Sequence, residues 1–140
     1  MEDDDLTADG FSKRCDSKSA VAKIFKEDRD NCREAWVAAG FAVEFKLKQL
    51  IMMRRGYNTW PSKELAPALY VHNIKALFAA AEIDISQAPP RLRAAIRLVL
   101  DWERLHDYSV APMPRRVARD MYKAALGEEG VVRWLQSLIP

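Results

Sequence analysis

The stretch from Trp36 to Met53, WVAAGFAVEFKLKQLIMM, constrains this chain more than any other. At roughly 100° per residue, Trp36, Ala39, Gly40, Val43, Leu47, Leu50 and Ile51 fall on one arc of a helix, and Val37, Phe41, Phe45 and Met52 fall on a second. A helix apolar on two sides must be covered on two sides, so it belongs in the middle of a bundle. Glu44 and Lys48 lie at the seams between the arcs. Their i, i+4 spacing makes an ion pair, and the position predicts a buried carboxylate bonded to a neighbouring helix.

The rest of the chain reads as shorter helices separated by breakers. Residues 1–30 are expected to form an acidic, partly mobile N-terminal extension, in which Val21, Ile24 and Phe25 predict one short helix from Ser17 to Asp28, capped by Ser17 or Ser19. Asn31 and Glu34 have the spacing of a capping box at the start of the long helix, and Arg54, Arg55 and Gly56 suit its end. Tyr70, Ile74, Leu77, Phe78 and Ala81 predict a second helix over 68–82. Leu92, Ile96, Val99 and Leu100 predict a third over 91–107, whose stripe runs on to Glu103 and His106. Val117, Met121, Ala124 and Ala125 predict a fourth over 115–126. Val131, Trp134, Leu135 and Leu138 mark a short C-terminal helix after Gly127 and Gly130. The expected fold is all-α: an antiparallel bundle of four main helices plus the short helix, over residues 31–140.

Composition narrows the function classes. Cys15 and Cys32 stand without CxxC spacing or histidine companions, so neither a metal site nor a cofactor is indicated. The acidic start lacks the character of a targeting leader, and no apolar run reaches the roughly 18 residues of a membrane span. A cytoplasmic protein is the expectation. The net charge of +2 conceals an acidic first 30 residues and a basic last 50. Arg93 and Arg97 share a side of the third helix with Arg104, while Arg116, Arg119 and Lys123 share a side of the fourth. Both are solvated faces by default and phosphate- or partner-binding surfaces in the sharper reading, with Trp134 as an interface anchor. His106 and His72 are the only imidazoles, so acid–base chemistry near neutral pH falls most easily to His106, beside Arg104 and with Glu44 as a further carboxylate.

Three segments in order, AAGFAVEFKLKQLI, VHNIKALFAAAEID and DWERLHDYS followed by GVVRWL, resemble the HEPN superfamily of small helical bundles from prokaryotic toxin, defence and nucleotide-linked systems. The resemblance covers residues 35–138. It implies a homodimer or a heteromeric complex, with RNA or a nucleotide as a further partner. Ribonucleases of that family use an Arg, a short spacer and a His. Here His106, Asp107 and Tyr108 match the end of the pattern, but Val99, Leu100 and Asp101 stand where the Arg belongs, Arg97 lying too far back and Arg104 too close. The resemblance therefore implies a non-catalytic or degenerate binding protein of a toxin–antitoxin or anti-phage system. The alternative is a metal-independent endoribonuclease using His106 with Arg104 or Arg97.

Overall fold

The computed structural model describes residues 6–70, 73–102 and 112–140, and among these the chain is all-α, without strands. Six helices follow in order: α1 (Ala8–Phe25), α2 (Cys32–Arg55), α3 (Ile74–Ala80), α4 (Pro90–Leu100), α5 (Arg115–Leu126) and α6 (Val131–Ser137). No helix among the described residues is long and apolar enough to cross a membrane.

The long helix α2 occupies the place its two apolar arcs require. All seven residues of the first arc are buried, as is Met52 of the second, while Val37, Phe41 and Phe45 are half-covered. α1, α3, α5 and α6 pack around it, and α4 packs against α3, α5 and α6. Gly56 ends α2 in the left-handed region at φ 69°, a conformation that costs glycine little. The two arginines before it cap another helix. Arg54 Nη1 donates to Ala81 O at 2.6 Å and Arg55 Nη2 to Ala80 O at 2.9 Å, satisfying carbonyls at the end of α3.

α1 corrects the expectation for the N-terminal region. It begins at Ala8, well before Ser17, because Thr7 accepts from Gly10 N at 3.0 Å and serves as the N-cap. Ser19 instead returns its hydroxyl to Cys15 O inside the helix. Phe11, Cys15 and Ala22 form the buried face, whereas Ile24 is 71% exposed. Phe11 pairs with Phe45 and Lys18 sits over Phe41, so α1 runs antiparallel to α2 as a helical hairpin. Trp60 N donates to Leu6 O at 2.8 Å and fastens the start of α1 to the loop after α2. Residues 8–25 are thus a wall of the bundle.

The turn between the two helices is held differently from the expected capping box. Asn31 precedes α2 without a side-chain cap bond. The Asp28 carboxylate does the work, accepting from the N–H groups of Asp30 and Asn31, both at 2.9 Å. Those bonds, first that from Asn31, hold its pKa below the usual carboxylate value.

α3 is shorter than its stripe suggests. Asn73 caps it by accepting from Ala76 N, and Pro67–Leu69 forms a separate 3-10 turn. Tyr70 consequently lies outside the helix, half-exposed, with its hydroxyl donated to Pro61 O at 2.6 Å. α4 spans Pro90–Leu100 and residues 103–107 of the expected third helix lie outside the described residues, whereas α5 spans the expected residues.

A row of rings links these elements. Trp60, Phe11, Phe45, Phe41, Trp102 and Trp36 follow one another with centroid separations from 5.4 to 6.1 Å. Such pairs contribute about 0.5–1.5 kcal/mol each beyond their burial. The row closes over Gly40, where a Cβ would overlap the Trp102 indole. Gly40→Ala is therefore expected to displace Trp102 and destabilise the protein by about 1–3 kcal/mol, the range for overpacking a dense core. Urea denaturation measures the loss and near-ultraviolet circular dichroism reports the indole. An unchanged midpoint and spectrum would show that the contact is not tight.

Candidate functional site

The candidate residues fall into four places. His106 and Arg104, with His72 and Glu103, lie outside the described residues. Glu44 is in the core, 2% exposed, with Oε2 at 3.6 Å from Lys48 Nζ. The Lys48 ammonium in turn sits 5.8 Å from the Phe11 ring centroid and 5.4 Å from that of Trp60. The pair with its aromatic neighbours ties α1 and the loop after α2 to the central helix. Because Glu44 is buried and Lys48 largely covered, removing the lysine costs more than the pair itself supplies.

Arg93, Arg97, Lys123 and Trp134 divide between the two flanks of α4, whereas Arg116 and Arg119 line neither. At roughly 100° per residue, Leu92, Ile96 and Val99 turn to the core, Arg93, Arg97 and Leu100 lie to one side, and Arg91, Ala94, Ala95 and Leu98 lie to the other. On the first flank, Ile85, Ser86, Arg93, Ile96, Arg97 and Leu100 line an open groove of about 380 Å³. On the second, Arg91, Ala94, Ala95 and Leu98 face Asp120, Lys123, Ala124 and Gly127 of α5 and its end, with Glu128 and Glu129, across a groove of about 710 Å³. A cavity of about 290 Å³ adjoins it, sharing Arg91, Glu128 and Glu129 and adding Arg133 and Trp134. Lys123 and Trp134 thus line adjoining parts of one composite surface.

The α5 basic face is not a uniform phosphate platform. Arg119 Nη1 lies 3.9 Å from Glu27 Oε2, both side chains about half exposed, a pair that salt will largely screen. Arg116 is exposed, and Lys123 shares its groove with three carboxylates. Among the described residues no group of three or more His, Cys, Asp or Glu side chains is placed to hold a metal ion.

One polar cluster escapes a reading of the sequence. Lys46 is 4% exposed and donates to Gln49 Oε1 at 2.8 Å and to Gln136 Oε1 at 2.6 Å. The Lys46–Gln49 spacing on α2 is visible in the sequence, but Gln136 comes from α6, 90 residues away. Cys15 lies within reach of the same charge. Burial pushes its thiol above the ordinary value and Asp16 adds to this, while Lys46 and the Ser19 hydroxyl pull it down.

Two outcomes follow. Lys46→Met keeps the apolar stem but takes the donor from both glutamine oxygens and is expected to cost about 1–2 kcal/mol, whereas Lys46→Ala adds a void to the same loss and costs about 2–4 kcal/mol. Thermal denaturation of both variants distinguishes them, and equal effects would place the ammonium in water. For Cys15 the folded pKa is raised, so the native state holds the proton more tightly than the unfolded chain. Its contribution to stability is full below the unfolded thiol pKa of about 8.5 and falls as pH rises above that value. Iodoacetamide should accordingly label native Cys15 far more slowly at pH 8.5 than the denatured chain.

No family model, curated protein or solved structure matches the chain.

Proposed function

We propose that this chain is a HEPN-like interaction protein that does not cleave RNA and works as a homodimer or within a heteromeric complex of a cytoplasmic prokaryotic toxin–antitoxin or anti-phage system. The observation that carries the reading as an interaction module is the composite groove between α4 and α5. Its floor is made by small side chains, Ala94, Ala95, Ala124 and Gly127, with Leu98 between them. Small residues on the outer faces of two adjacent helices leave a channel into which side chains of another helix can pack. Its rim carries both signs, Arg91 and Lys123 against Asp120, Glu128 and Glu129. A mixed rim suits an isologous contact, in which each acid meets a base of the other copy, better than it suits a polyanion. Trp134 at the end of the surface is the type of residue that anchors interfaces.

The missing Arg at positions 99–101 supports the non-catalytic half of the reading. A 2′-hydroxyl attack needs both an imidazole to take the proton and a cation to hold the phosphate. The test combines mass with chemistry. Light scattering of the purified protein should exceed the 16.0 kDa of one chain. Ala94→Trp, at an exposed position that fills the channel, should return it to the monomer while changing stability by no more than about 0.5 kcal/mol. RNA incubated with wild type should remain intact. A clean wild-type monomer with no stable partner removes the interaction reading, and RNA ending in a 2′,3′-cyclic phosphate, made by wild type but not by His106→Ala, replaces it with a ribonuclease.

A further inference from the structure

The opposite flank of α4 has a different chemistry, and the α4–α5 groove makes no use of it. Arg93, Arg97 and Leu100 stand at i, i+4 and i+7 over the buried Ile96, so the two guanidinium groups lie one turn, about 6 Å at 1.5 Å per residue, apart beside an apolar ridge that surfaces at Leu100. Ile85 faces that ridge from the 3-10 turn Ile85–Gln87 and closes the groove of about 380 Å³. Among the described residues no carboxylate lines it. The nearby Asp84 carboxylate is engaged by the backbone N–H and hydroxyl of Ser86, at 3.0 and 2.7 Å. Neither Arg93 nor Arg97 has an ion-pair partner among the described residues.

Helix stability does not account for these arginines. Like charges at i, i+4 repel, and a cation in the first turn opposes the helix dipole, which favours acids there. α4 has no acid in its first turn, and Arg93 stands in it. Arg97, in the last turn, agrees with the dipole. The pair as a unit carries positive charge that no ion pair among the described residues offsets, beside an apolar floor. An anionic partner that also carries apolar side chains relieves both.

We infer that the Arg93–Leu100 flank of α4 is a docking site for an acidic amphipathic helix of another protein. Leucine-like side chains of that helix lie on Ile85 and Leu100, and carboxylates along its edge meet Arg93 and Arg97. The i, i+4 register of the arginines repeats once per helical turn, the same interval at which a partner helix presents acids along one edge. An RNA strand would satisfy the guanidinium groups but leave the aliphatic part of the groove with nothing apolar to cover it, because among the described lining residues there is no aromatic side chain for a base to stack on. The inference rests on reading the chain as an interaction module and names the chemistry of one partner.

The experiment uses the full chain and a fluorescein-labelled amphipathic peptide with Leu on one face and Glu on both flanks, read by anisotropy at low salt. Wild type should bind it at least about tenfold more tightly than the analogue with Gln for Glu and than the analogue with Ser for Leu. Arg93→Glu with Arg97→Glu should weaken binding of the acidic peptide at least about tenfold while leaving helical content and melting unchanged, since both side chains are exposed. Equal affinity for the Glu and Gln peptides, or unchanged binding by the double variant, overturns the proposal. So does a single-stranded RNA oligonucleotide that binds the same arginines more tightly than the peptide. Light scattering of wild type reports self-assembly separately, so the peptide can fail while the interaction reading stands, and the reverse.

Discussion

The contact of Trp102 with Gly40 is the constraint on which the rest of the bundle depends. α4 packs on α3, α5 and α6, and the indole that follows it reaches the middle of α2. Any side chain at position 40 would hold that ring away. The consequence spreads because Trp102 also meets Phe41 and Trp36 at centroid distances of 5.4 and 5.7 Å, and Phe41 continues the row to Phe45, Phe11 and Trp60. One missing Cβ on α2 therefore sets how α4 approaches, while α1 is fastened by the far end of the same aromatic row. Close-packed interiors transmit such changes because they have little free volume in which to absorb them.

Against this apolar frame the buried charges have a specifying role. Glu44, Lys46 and Lys48 all lie on α2, and Lys46 and Lys48 look outward to different neighbours: Lys48 to the aromatic rings of α1 and the following loop, Lys46 to Gln136 of α6. Exchanging such groups for apolar ones of similar size is often harmless, but removing half of an arrangement leaves a desolvated remainder. The helices packed on α2 are thereby held in register by polar contacts as well as by hydrophobic burial, which alone is non-directional.

α4 is where stability and function separate. Its core face is narrow, formed by Leu92, Ile96 and Val99, and its two flanks differ in chemistry. One is small and of mixed charge; the other carries Arg93 and Arg97 beside the half-buried Ile85 and Leu100. Neither arginine improves the helix that carries it as a pair, so their presence is better explained by what approaches from outside than by the bundle itself.

Much of this was determined by the sequence alone, because periodicity reports which faces must be covered. The two arcs of α2, the bounds of α5 and the stripe Leu92, Ile96, Val99 are local patterns, and burial follows them. Arg93 and Arg97 were visible as one side of a helix for the same reason. Tertiary structure alone decided the rest. α1 extends back to Ala8 because Phe11 finds Phe45 and Trp60, and a lone aromatic residue in a polar stretch has no period to announce it. Tyr70 leaves α3 because Asn73 caps the helix after it. Lys46 became a buried donor only when Gln136 arrived from the other end of the chain, and Lys123 and Trp134 came to line adjoining cavities only when α5 and α6 folded against α4. Spacing along a helix is written in the order of residues, whereas the partner that meets each face is chosen by how the helices pack.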